Sequence, residues 1–326
     1  MDCPTWKSRA RIGVVIMSRI PNRIFAILIL VLLPCTESLF AQDAIRVVTT
    51  TPDLADIVRQ VGGSRVDVTS LTRGSEDLHK VRPRPRLLNT LFRADALVQI
   101  GLDLEHSWLP QLLNAARNPK IRPGSPGFIN CSAGIEPLDI PEAITRKEGP
   151  DLHIKGNPHY NLSPIQGRKI VTNVIEGLCL QSPQYCEEYR TRGNEYLKTL
   201  DKKIAEWKER LKPLKGAAFI EYHPTWSYFA KDFGLLIVDR IESKAGVTPQ
   251  AAHIAKVVEI ANQKNVGLII SRPANKDLAL KVASNCNANV VVLPYLSSTT
   301  GTLQGYIPFM ELVVSTFEKN LKLAKR

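Results

Sequence analysis

Long hydrophobic runs are absent. The longest, Ile24 to Leu33, is about 10 residues, where a bilayer-spanning helix needs roughly 20, so no stable membrane insertion is expected. There is no Cys-x-x-Cys pair among the six cysteines, which argues against a zinc site built on thiolates. No Gly/Ser-rich or low-complexity stretch occurs, which excludes disordered and fibrous classes. Neither His-Glu-x-x-His nor Gly-x-Ser-x-Gly is present, so the usual hydrolase constellations are missing and an enzyme is not expected. Histidine is scarce as well, with only six residues.

What is present begins with a basic stretch (Lys7, Arg9, Arg11, Arg19, Arg23), the short apolar run, Pro34 and a small residue, Ala41, before Gln42-Asp43. This pattern reads as a secretory signal peptide over residues 1–41, with Met17 as an alternative start, and places the protein in the periplasm or outside the cell. Cys35 follows Leu-Leu-Pro, a poor match to a lipoprotein cleavage box. Five basic and two acidic residues leave with the signal, so about +9 of the formal charge of +12 remains. That charge is spread along the chain and alternates with acids, as in Asp201 to Arg210, which reads as solvated helix faces and not as a nucleic-acid footprint. Four cysteines remain in an oxidising compartment, and Cys179 and Cys186, flanking a Ser-Pro turn between two helical patterns, are candidates for a local disulfide.

From Ile45 onward short β-branched runs alternate with helical patterns, predicting an α/β protein with mainly parallel sheets flanked by helices. The predicted strands are 45–50, 66–71, 96–100 and 127–130, then 217–222, 235–238, 266–271 and 290–293. Between the two sets, Pro183 to about Leu211 carries an apolar stripe of Tyr196, Leu197, Leu200, Ile204, Trp207 and Leu211. About 28 helical residues reach about 42 Å, enough for a rigid connector. The expected organisation is a first lobe over 42–181, a connecting helix over 182–214 and a second lobe over 215–326.

Ligands of such sheets sit outside the carboxyl ends of strands. Three histidines lie in loops of that kind: His79 after the second strand, His159 in Gly156-Asn157-Pro158-His159, and His223 directly after the strand 217–222. Their spacing fits no local metal motif, so only the fold can unite them. Their surroundings do carry a pattern. Gly74-x-x-x-x-His79 precedes Arg82-Pro83-Arg84-Pro85, Ala94-Asp95-Ala96-Leu97-Val98 and Gly101-Leu102-Asp103-Leu104-Glu105 with Trp108. Asn157-Pro158-His159-x-x-Leu162-x-Pro164 and His223-Pro224-x-Trp226-x-Tyr228-Phe229-Ala230-x-x-Phe233-Gly234-Leu235 follow. In this order, from about Ile45 to Leu323, the motifs resemble the metal-binding receptors of zinc and manganese ABC importers.

The resemblance implies two α/β lobes bridged by a long helix, with one metal in the cleft held by His79, His159 and His223. It also implies a monomeric exported receptor that serves an ABC importer permease in the membrane. Histidine at position 223, where manganese-type members often have Glu, favours Zn2+ over Mn2+ because imidazole nitrogen suits zinc. Where many members place an Asp after the last strand, this chain has Val292-Leu293-Pro294-Tyr295-Leu296, which leaves water, Glu76 or Asp77 for a fourth position. Asn157 replaces a common Asp and bears on how His159 is oriented. His153 reads as an accessory contact or a surface-loop residue, and His106 and His253 as structural. Trp226, Tyr228 and Phe229 read as packing beneath the cleft. The competing readings are a manganese or iron receptor of the same family, a secreted zinc hydrolase with Glu221 as its base, and an adhesin.

Overall fold

A computed structural model describes residues 44–74, 76–142, 151–298 and 304–324. The expected signal region lies outside them. Strands β1 (Ile45–Thr49), β2 (Val66–Ser70), β3 (Ala96–Gln99) and β4 (Phe128–Asn130) form one sheet, all parallel, in the order β2-β1-β3-β4. Strands β5 (Ala218–Glu221), β6 (Leu236–Arg240), β7 (Leu268–Ser271) and β8 (Asn289–Val292) form a second parallel sheet in the order β6-β5-β7-β8. In each sheet the order reverses beside the first strand, and the loops at that carboxyl-end crevice are where such folds bind ligands. Both sheets belong to one compact unit, Ala44–Arg326.

Local chemistry sets the helix boundaries. Helix α1 (Pro52–Gly62) starts on the Thr51 side chain, which accepts from Leu54 N, with Pro52 at its first position. It ends where Gly63 adopts φ 55°, a conformation that favours glycine. Helices α2 (Pro85–Arg93), α3 (Leu109–Ala116) and α4 (Pro164–Gln181) complete the first lobe. Proline stands at the first or second position of each of these, where the absent N–H costs nothing. In the second lobe α6 (Ser227–Phe233), α7 (Ala251–Gln263) and α8 (Lys276–Ala283) flank the sheet.

The connector is α5 (Cys186–Leu211), 26 residues long, extended at both ends by short 3-10 turns. Leu200, Ile204, Trp207 and Leu211 of the predicted stripe are buried, and Tyr196 and Leu197 are partly buried against the same core. The disulfide between Cys179 and Cys186, whose Cα atoms lie 4.5 Å apart, pins the end of α4 to the start of α5.

The two lobes are stitched together a second time after β8. Ser297 N donates to Asp53 Oδ1 at 2.7 Å, and Tyr306 N donates to Asp56 Oδ2 at 2.8 Å, so this segment is anchored on α1. Tyr306 also donates its hydroxyl to Asn161 O at 2.9 Å. The last helix, α9 (Tyr306–Ala324), then lies against α5, where Arg210 and Trp207 of the connector donate to Glu311 at 2.6 and 2.8 Å. One continuous core therefore runs from Val47 through Leu178 and Trp207 to Phe317.

Candidate metal centre

The loop after β2 carries His79, which is held from two sides. Trp108 donates its indole N–H to Leu78 O at 2.8 Å, and Ser107 donates its hydroxyl to His79 O at 2.6 Å. Nearby, Glu105 is buried and its carboxylate accepts from Ile100 N, Gly101 N and Thr50 Oγ1 at 2.8, 3.0 and 2.6 Å, tying the ends of β1 and β3 together. Gly101 sits at φ +82°, where an added Cβ would meet the Asn130 side chain. These bonds give the Gly101-to-Trp108 motif its physical role: it is the frame on which the His79 loop rests.

His159 opens a short 3-10 turn before α4, and His223 leaves the end of β5, next to the point where the second sheet reverses. The fold brings these two and His79 together, with one ligand-type atom of each within 4.8 Å of the others. All three are buried. Each ring is also fixed in orientation through Nδ1. His79 Nδ1 donates to Asp77 Oδ1 at 3.1 Å, His159 Nδ1 to Asn157 Oδ1 at 2.9 Å, and His223 Nδ1 to Glu242 Oε2 at 2.5 Å. The Asn157 amide nitrogen is spent on Asp139 and Pro224 O, so its oxygen is the atom that faces His159. Because each partner can only accept, the proton sits on Nδ1 and Nε2 keeps its lone pair. Nε2 of His159 and of His223 are buried with no hydrogen-bond partner.

Burial lowers the basicity of two of these imidazoles. Desolvation and the neighbouring imidazoles push His159 well below its ordinary value. Desolvation also lowers His223, although Glu242 works in the opposite direction. His153, which the sequence left between an accessory contact and a loop residue, is buried too and pushed down to about 3, mainly by desolvation and then by His79.

Residues 47–320 match the family described as "ZnuA: Zinc-uptake complex component A periplasmic". The chain belongs to this family. The zinc-binding lipoprotein AdcA of Streptococcus pneumoniae (strain ATCC BAA-255 / R6) is 24% identical over 318 residues, 95% of this chain and 61% of AdcA; the chain thus spans about three fifths of that relative. The iron-binding protein YfeA of Yersinia pestis is 26% identical over 284 residues, 84% of this chain and 85% of YfeA. A crystal structure of ZnuA superposes with a TM-score of 0.72 at 26% identity, covering 86% of this chain and all of that one. The relatives differ in the metal their names carry, zinc, iron or manganese, and PsaA of Streptococcus anginosus, 24% identical over 74% of this chain and 76% of PsaA, is named a manganese ABC transporter substrate-binding lipoprotein.

Within this ZnuA-type frame the two acids suggested for a fourth position are otherwise engaged. Asp77 orients His79 and pairs with Arg272 at 3.0 Å, while Glu76 accepts from Arg73 N at 2.8 Å and from Arg84 at 3.1 Å. In place of an acid after β8, the ring of Tyr295 stands edge-on to His159, with centroids 6.2 Å apart, and 6.4 Å from His223. A cavity of about 480 Å³ opens there, lined by His79, His159, Arg272 and Tyr295. Glu221, the one acid nominated as a hydrolytic base, is buried and committed elsewhere: it accepts from Thr225 N and Trp226 N at 3.0 and 2.7 Å and binds Arg240 Nε at 2.6 Å.

The aromatic group beneath the cleft packs as expected. Trp226 and Phe229 lie against Phe317, with centroids 5.6 and 4.6 Å apart, and the Tyr228 hydroxyl donates to Asn157 O at 2.7 Å. His253 Nε2 lies 2.8 Å from Arg240 O. Sequence reasoning did not find Glu242. It lies two residues past β6 and belongs to no local motif; only the pairing of β5 with β6 carries it to His223.

Proposed function

We propose that this protein is an exported receptor that captures one divalent transition metal, zinc before manganese or iron, and delivers it to the permease of an ABC importer. His79, His159 and His223 are the ligands on this reading. The observation that carries it is the set of three buried imidazoles whose Nδ1 atoms are occupied by acceptors and whose Nε2 lone pairs converge. Neutral nitrogen donors of this kind suit zinc, whereas manganese prefers oxygen. Asp77, Glu76, Glu221 and Glu242 each already hold an ion-pair or hydrogen-bond partner.

Binding follows from pre-organisation. The three acceptors fix ring rotation and tautomer before the metal arrives, so little ordering remains to be done when it binds. The lobes are joined by α5 and again by the contacts of Asp53 and Asp56 with the segment after β8, so capture proceeds by a small adjustment of loops at the cleft and not by wide hinge closure.

The test is a competitive titration of zinc and manganese on the metal-stripped protein and on His159→Ala. One tight zinc site per chain, poorly filled by manganese and lost in the variant, is the expected result. Tight binding of neither metal would show that the fold serves another ligand. Equal filling by both metals would remove the zinc preference and leave the receptor.

A further inference from the structure

His153 is the fourth imidazole of the cluster, and its placement is as deliberate as that of the other three. Its Nε2 lies 3.0 Å from Nε2 of His79. Its Nδ1 lies 3.1 Å from the carbonyl oxygen of Asp103, which can only accept, so the ring proton is on Nδ1. The proton of His79 is on Nδ1 as well, opposite Asp77. Two bare nitrogen lone pairs therefore face each other at 3.0 Å inside the protein, an arrangement that a shared metal ion would satisfy.

The distance fits a shared metal ion. Nitrogens bound at roughly 2.0–2.1 Å to one tetrahedral zinc lie about 3.3 Å apart. The His79–His153 pair is already within a few tenths of an ångström of such an edge.

The backbone that holds His153 is unusual in the same place. Leu102 and Asp103 adopt φ 48° and 63°, consecutive left-handed conformations that side-chain-bearing residues seldom take. They turn the Asp103 carbonyl so that it meets Nδ1 of both His153 and the exposed His106, at 3.1 and 2.6 Å. Lys155 pairs with Asp103 Oδ1 at 3.0 Å, fastening the His153 loop to the same turn. The ring of His153 is 5.1 Å from that of His79 but 6.2 Å from that of His159, whereas the triad rings are 5.3 to 5.4 Å apart. It stands at the outer corner of the site and shares an edge with His79.

We infer that His153 is a fourth metal ligand, closing a four-imidazole site from the solvent side in place of a carboxylate or water. This rests on the triad reading above and adds to it. A small inward movement of the loop carrying His153 completes the set, removes the last position open to water, and strengthens the bias toward a metal that accepts four nitrogens.

X-ray absorption at the zinc edge counts the imidazoles directly. The full chain is stripped, loaded with one equivalent of zinc, and compared with His153→Ala and His153→Gln, the second retaining side-chain volume in case the first folds poorly. Four imidazole nitrogens in the wild type, falling to three plus one oxygen in the variants, with zinc affinity lowered about tenfold or more, is the expected result. Three imidazoles in the wild type, with unchanged affinity in both variants, would overturn the role of His153 while leaving the triad in place. A wild-type chain that takes up no zinc would overturn both readings.

Discussion

Arg272 and Asp77 meet across the cleft. The Arg272 guanidinium, at the end of β7 in the second sheet, lies 3.0 Å from Asp77 Oδ2, while Oδ1 of the same carboxylate accepts from His79 Nδ1 at 3.1 Å. Burial pushes Asp77 toward the neutral form, but the His79 hydrogen bond and the Arg272 charge prevail and hold it well below the usual carboxylate range. One residue of the second lobe thus helps to orient a histidine of the first.

Breaking this relay is expected to weaken the metal site without dismantling the fold. Asp77→Asn and Arg272→Ala are each predicted to lower zinc affinity by about 10- to 100-fold, the usual scale for groups that orient a ligand. Competition against a chromophoric chelator measures it, and wild-type affinity in both variants would deny the orienting role.

The pH dependence follows from the burial of His159 and His223. Metal and protons compete for Nε2, so capture declines only as pH falls through the values at which the metal-free histidines take up protons. Those of His159 and His223 are lowered, chiefly by desolvation. At these two positions protons become competitive below about 6.5, the ordinary histidine value, and zinc retention is expected to persist into that range. Zinc release followed from pH 7.5 to 4 checks this, and a release midpoint at or above 6.5 would contradict it.

Tyr228 tests the packing reading of the aromatic group. Its hydroxyl donates to Asn157 O at 2.7 Å and accepts from Leu138 N at 3.1 Å. Removing it in Tyr228→Phe leaves both groups short of a partner, at a cost of about 1–3 kcal/mol. Thermal unfolding should fall by several degrees with one zinc still bound per chain, whereas loss of zinc stoichiometry would assign the ring to the metal itself.

The disulfide makes a separate prediction. Cys179 and Cys186 close a short loop at the α4–α5 junction. Replacing both by serine is expected to cost about 2–3 kcal/mol by the loop-entropy relation, read as a lower denaturant midpoint with unchanged zinc stoichiometry. An unchanged midpoint would mean that the junction is held by packing alone.

Much of this was legible in the sequence. The eight strands lie within one or two residues of their expected ends, because the strands of helix-flanked parallel sheets read as short β-branched runs. The motifs around His79, His159 and His223 single them out, and the fold brings the three together. The groups that orient the rings were harder to find. Asp77 stood out as a possible ligand, but its place between His79 and Arg272 depends on a contact between lobes 195 residues apart in number. Glu242 and the Asp103 carbonyl carry no side-chain pattern at all: one is delivered by strand pairing, the other by a left-handed turn. His153 was ambiguous because a lone histidine in a loop has no periodicity to place it, and only the folded chain sets it against His79.

The central claim is that the three Nε2 atoms of His79, His159 and His223 hold one metal ion. A crystal structure of the zinc-loaded protein with anomalous data at the zinc edge tests it most directly. The account predicts one strong peak at roughly 2.0–2.1 Å from all three nitrogens, with Asp77, Asn157 and Glu242 still bound to the opposite side of each ring. A peak elsewhere, or a cleft without zinc in protein that has taken up one equivalent, would contradict it.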